Sequence, residues 1–129
     1  MFNDVAPDID SPDLPRRLAG MPPAAIDALA FGAIRLDAAG MVTFYSARER
    51  AMSGLRRAVV GRSFFTDIAP CMLRPEVSGR IERGRAMRTL DVAFDMVSDL
   101  PNGERDVALR ARLISAADGG TWILLQRQE

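Results

Sequence analysis

The chain contains no histidine and no lysine: its 17 basic residues are all arginine, against 17 aspartates and glutamates. The first absence removes the usual haem and zinc ligand, the usual general base and any phosphoryl-accepting histidine. The second excludes a Schiff base to retinal or pyridoxal phosphate. The single cysteine, Cys71, permits neither an internal disulfide nor a cysteine-rich metal cluster, so no metal site is expected. A cysteine nucleophile would lack its base, and the chain therefore reads as a non-enzyme. No apolar run approaches the roughly 18 residues that a membrane span needs. The opening Met-Phe-Asn-Asp lacks the basic and apolar parts of a secretory signal. A cytoplasmic location without a membrane partner is the expectation, and the initial methionine and length read as those of a whole chain.

What is present fits one soluble domain: 129 residues, of which 48% are apolar and 26% charged. Charge is zero overall but segregated. Residues 1–28 hold five aspartates and two arginines, a net of −3; residues 48–88 hold ten arginines and four acids, a net of +6; residues 89–129 hold seven acids and four arginines, a net of −3. The arginines of the central stretch lack the aromatic neighbours that stack on bases, so no nucleic acid is expected. These arginines are expected instead to form a solvated face or to act as an internal partner for the acidic N-terminal segment. Five of the eight prolines lie in residues 1–24, which predicts an irregular arm over 1–25 with a short helical turn near 14–18.

From residue 26 the pattern changes to that of a folded domain reaching 129. Residues 29–36 read as a buried strand, Asp37-Ala38-Ala39-Gly40 as a hairpin turn and 41–45 as the returning strand. A short helix over 46–54 ends on Gly54, and Pro75 opens a second over 75–87. Strands at 90–97, 107–115 and 121–126 follow, separated by Pro-Asn-Gly and Asp-Gly-Gly turns. The order predicts an α+β domain on a five-stranded antiparallel sheet flanked by short helices.

Tyr45, Glu49 and Ser53 recur every four residues and would share one face of a helix. Two readings of Glu49 stay open: a partner for a buried anion, or the Glu of a Ser46-x-x-Glu49 capping box. Cys71, after Pro70 in an apolar stretch, is either an inert core thiol or a point of covalent attachment.

Several segments resemble the photoactive yellow protein family of PAS-fold light sensors. They are the run Asp-Ala-Leu-Ala-Phe-Gly-Ala-Ile-Arg-Leu-Asp over 27–37; Tyr45, Glu49 and Ser53-Gly54; and Gly-Arg-Ser-Phe-Phe-Thr-Asp-Ile-Ala-Pro-Cys over 61–71. Pro75-Glu76, Phe94-Asp95 and Trp122-Ile123-Leu124 extend the match to most of 26–127. The resemblance implies a PAS fold and a 4-hydroxycinnamic acid (p-coumaric acid) chromophore as a thioester on Cys71. It also implies contacts from Tyr45, Glu49, Ser53, Pro70 and Phe94, and a protonated Glu49 that releases its proton after blue light drives trans–cis isomerisation. Leu55 stands where the family has a shielding arginine, so a lid from Leu55 or Arg56 is expected. The family's recovery methionine falls on Ser98, with Met96 two residues away, which implies slow recovery. A downstream signalling protein is the implied partner, and a monomer or weak dimer the implied state. The competing reading is a PAS-fold interaction or ligand-binding module without a chromophore.

Overall fold

Local turn chemistry sets up the first hairpin. β1 (Gly32–Leu36) and β2 (Val42–Tyr45) are antiparallel. Between them the Asp37 carboxylate accepts the N–H groups of Ala39 and Met41 at 2.9 and 3.0 Å, and Gly40 takes a φ of 84°. β3 (Asp91–Ser98), β4 (Val107–Ser115) and β5 (Thr121–Arg127) form a meander, and β5 pairs back onto β1. The sheet order is β2-β1-β5-β4-β3, antiparallel throughout, as the sequence predicts. These coordinates are a computed structural model that describes residues 6–128; the first five residues of the expected arm, and Glu129, lie outside the described residues.

The helices are short. α1 (Leu14–Gly20) and α2 (Pro23–Asp27) belong to the arm, α3 (Ala47–Ser53) follows β2, and α4 (Arg80–Met87) precedes β3. Two wide π-type turns, Phe64–Ile68 and Pro75–Gly79, and a 3₁₀ turn at Pro70–Met72 fill the connection between α3 and α4. Three expectations shift. Residues 29–31 form a turn and not strand, the helix expected over 75–87 is π-wound in its first five residues, and the arm carries two helices. Both arm helices have proline in their first turn, where the missing N–H costs nothing.

Alternation along the strands produces two cores. Leu109, Ala111, Leu113, Ile123 and Leu125 face one side with Tyr45, Phe64 and Met72. Ile114, Trp122, Leu124 and Ala33 face the other, where the arm covers them with Ile9, Leu14, Leu18 and Ile26. α2 runs across residues 25 and 26, so the arm passes into the domain without a break in structure.

Charge also holds the arm, through other residues than its sequence predicts. Arg112 of β4 makes two bonds to Asp91, at 2.8 and 2.9 Å, and donates to the carbonyls of Ile9 and Ser11. Arg110 pairs with Asp10 at 3.0 Å. Among the described residues, the arm's charged contacts to the domain are thus made on β4 and not on the arginine-rich stretch 48–88.

Candidate functional site

Ser46 follows β2 and caps α3, accepting the Glu49 N–H on its side chain at 3.2 Å. That is half of a capping box. The other half is not made, because the Ser46 N–H donates to the Ala33 carbonyl of β1. The Glu49 carboxyl is thus free of the helix end and turns inward. It is 4% exposed, and its Oε1 has no hydrogen-bond partner. Burial pushes this carboxyl up from an ordinary 4.5 to about 8, so it is un-ionised at neutral pH.

Tyr45, at the end of β2, donates to Ser53 Oγ at 2.9 Å, and Ser53 in turn donates to the Arg50 carbonyl at 3.4 Å. Burial, then the nearby Glu49 charge, raises the phenol well above its ordinary range, while the Ser53 bond and the Arg50 cation pull the other way. Cys71 lies half-buried on the 3₁₀ turn, its thiol donating to the Asp99 carbonyl at 3.2 Å, with Ser98 Oγ 3.5 Å from the sulfur.

These three groups line one narrow cavity with Ile34, Phe64, Ile68 and Leu100. Its volume is only about 10 Å³, the room one water needs. An aromatic ring is thicker than a water molecule, so seating one requires the walls to part. The wall that borders solvent is the turn carrying Leu100 and exposed Pro101. The donor set suits a phenolic group carried on sulfur. A thiol stands in the same cavity as a phenol and an un-ionised acid, one of whose oxygens is unpartnered.

The remaining predicted residues stand around this cavity. Pro70 is exposed beside Cys71, and Phe94 is half-buried under Arg80, whose guanidinium lies 4.2 Å from its ring centroid. Neither lines the cavity. Leu55 packs partly buried against the core and Arg56 is exposed. The cation nearest the phenol is Arg50, 5.4 Å over the Tyr45 ring and braced by the carbonyls of Leu55 and Arg57 at 3.1 and 2.9 Å. Sequence reasoning missed Arg50 because its reach to residues 55–57 depends on how the chain turns after Gly54. Met96 is buried in the core on the same face as Ser98.

No protein-family model matches the chain. Full-length relatives do. It is 36% identical over 118 residues to the photoactive yellow protein of Halochromatium salexigens, covering 91% of this chain and 94% of that one. The chain belongs to the photoactive yellow protein family. The Rhodobacter capsulatus photoactive yellow protein is 31% identical over 107 residues, 81% of this chain and 85% of that one. Among solved structures, the photoactive yellow protein domain of the sensor histidine kinase Ppr from Rhodospirillum centenum superposes with a TM-score of 0.78. It is 36% identical and covers 88% of this chain and 99% of that one. The PAS domain of an HTR-like protein from Haloarcula marismortui, at 17% identity and a TM-score of 0.60, shares the fold. The expected PAS fold is therefore observed, and photoactive yellow protein relatives make the chain a PAS-fold photoreceptor.

Proposed function

We propose that the chain senses blue light through a 4-hydroxycinnamoyl group held as a thioester on Cys71, with Tyr45 and Glu49 bonded to its phenolate oxygen. The observation that carries this reading is the unpartnered Oε1 of buried Glu49 in the cavity that also holds Tyr45 and the chain's one thiol. When bound, the group supplies a double bond that isomerises from trans to cis under light. Every other part is played by the chain. A buried anion is tolerated only with strong donors, and Tyr45 becomes one by turning its O–H from Ser53 into the cavity. Ser53 then turns its own O–H from the Arg50 carbonyl to the Tyr45 oxygen, so the end of α3 supports the phenol.

Glu49 holds a proton in the dark because desolvation keeps its carboxyl at about 8. Once it releases that proton, a carboxylate is left in an apolar cavity, in a chain without lysine or histidine. An unpaired buried charge is costly. Opening the domain relieves that cost, and release of the arm is the signal we assign, read by a downstream signalling protein. Pro70 fixes the turn that presents the thiol, and Arg50 does the shielding for which Leu55 and Arg56 were the candidates. Phe94 contributes only if the walls part.

The test is to incubate the purified chain with an activated hydroxycinnamoyl donor. A visible absorption band and a mass increase on Cys71, both lost in Cys71→Ala, are the expected result. A protein that gains neither is a PAS-fold module of another kind.

A further inference from the structure

We infer that the cleft between α3 and the β1–β5 pair is a proton port for Glu49, the route by which its buried carboxyl exchanges protons with water. The cleft opens at the surface with a volume of about 410 Å³. Arg48, Ala51 and Met52 of α3 form one side of it, and Gly32, Leu125 and Gln126 the other. Gly32 and Leu125 are paired across β1 and β5, and Leu125 also lines the inner cavity. This pair is therefore a wall with the cleft outside and the Glu49 cavity inside.

The wall is thinnest at Gly32. A methyl group built there would stand 2.0 Å from Glu49 Oε1 and 2.9 Å from its Cβ, so the carboxyl occupies the place of the missing side chain. Gly32 shares a strand face with Ile34, two residues on, which is why this notch opens on the cavity side. The oxygen pressed against the thin point is the same one that lacks a hydrogen-bond partner.

Two other ends of the cavity differ from this one. Arg50 lies over the Tyr45 ring at the phenol end, and the thiol end borders solvent at exposed Pro101 and half-buried Cys71, but there the sulfur and the Asp99 carbonyl are bonded to each other, whereas the oxygen at Gly32 is unpartnered. On the cleft side Ala51 is exposed and Met52 only half-buried. Met52 is unbranched and flexible, and its displacement opens room for the one water that proton transfer needs. The groups around the carboxyl are Tyr45 from β2, Cys71 and the Asp99 carbonyl within the cavity, and Arg48 and Arg127 beside the cleft. Arg127 is bound to Glu104 at 2.6 Å. Guanidinium groups at the mouth repel hydronium and attract hydroxide. The carboxyl accordingly gives its proton to hydroxide, forming water and a carboxylate, and takes a proton back from a second water, releasing hydroxide. Under the light-sensing reading this port would refill Glu49 after it has given its proton inward; that use rests on the reading, whereas the port itself does not.

The experiment uses the full chain, in the dark and without any ligand. At about pH 6, below the raised value near 8, Glu49 supplies an un-ionised carboxyl C=O stretch, identified by its loss in Glu49→Gln. Rapid mixing into D2O shifts that band as O–H becomes O–D, and the rate of the shift is the readout. Ala51→Phe fills the cleft from an exposed helix position. It is expected to slow the exchange about 10-fold while leaving the amide exchange of β1 and β5 unchanged. Met52→Ala is expected to speed it by a similar factor of about 10, and this variant decides the matter should Ala51→Phe not fold. Wild-type rates in either folded variant, or carboxyl and amide exchange slowed together, would overturn the port. So would the absence of the band. None of these outcomes touches attachment at Cys71, and failure of attachment leaves the port standing.

Discussion

On the arm face of the sheet the buried Arg112, 5% exposed, has two bonds to Asp91 and one each to the carbonyls of Ile9 and Ser11. On the opposite face Glu49 is buried as deeply, at 4% exposed, and keeps one oxygen with no partner. The same sheet thus carries two solutions to one problem. A buried charge that is fully bonded fixes a structure, here the docked arm. A buried acid left short of partners stays neutral and is poised to change state. The contrast separates the part of the molecule that holds a shape from the part that does chemistry, and each half can be tested.

The largest effect belongs to the cavity face. Glu49 keeps its proton to about pH 8 when folded, against 4.5 ordinarily. Between those values the folded chain retains a proton that the unfolded chain has lost. The contribution is complete below the ordinary value and is lost as pH rises through the folded one, a change on the order of 5 kcal/mol. Glu104, held down to about 2 first by its Arg127 hydrogen bond, and Asp118, lowered first by the Gly120 N–H, act at lower pH and do not mask it. Urea unfolding at about pH 5 and pH 8 should show the ligand-free chain losing stability across this window and Glu49→Gln staying nearly level. Equal slopes in the two proteins would mean that the carboxyl is not held neutral.

Arg112→Ala addresses the arm face and comes next in size. It strands Asp91 and two carbonyls at once. Breaking a buried pair costs about 3–5 kcal/mol, and the half-exposed Asp91 keeps some of its water, so a loss of about 2–3 kcal/mol is expected. The chain's single tryptophan, Trp122, lies in the core that the arm covers, so its emission should shift to the red as the arm loosens. Unchanged emission with lowered stability would show that Arg112 supports the sheet and not the arm.

Legibility in the sequence followed the range of the interactions. The strands, their turns and the cap on α3 are made by neighbours, and Asp37, Gly40, Ser46 and Gly54 announce them. The arm helices are hard to see in the sequence because proline breaks a helix interior, whereas Pro15 and Pro23 sit in first turns, where it is tolerated. Glu49 was ambiguous for a sharper reason. Ser46-x-x-Glu49 has capping-box spacing, and only a strand thirteen residues earlier, by taking the Ser46 N–H on the Ala33 carbonyl, frees the carboxyl for the cavity. The Arg50 brace, the cover of Arg80 over Phe94 and the Gly32 notch are likewise contacts between segments that no local pattern encodes. The arm's charge partners are hidden in the sequence because the net charge of a stretch does not show which arginines face the arm. The arginines that meet the arm, Arg110 and Arg112, sit on β4, in a stretch that is negative overall.

The smallest prediction sharpens that last point. Asp10 meets Arg110 at 3.0 Å, with the two side chains 55% and 28% exposed, and Arg110 also holds Asp95 at 3.1 Å. Asp10→Asn removes a solvated pair and leaves Arg110 a second carboxylate, so the loss should be roughly 0–1 kcal/mol. Raising salt should erase that small difference between the two proteins, since exposed pairs are screened, while the Arg112 contribution, being buried, should persist. If Asp10→Asn instead loosened the arm as much as Arg112→Ala at high salt, the division between a structural buried charge and a minor exposed one would fail on the arm face. The comparison between the two sides of the sheet would then rest on Glu49 alone.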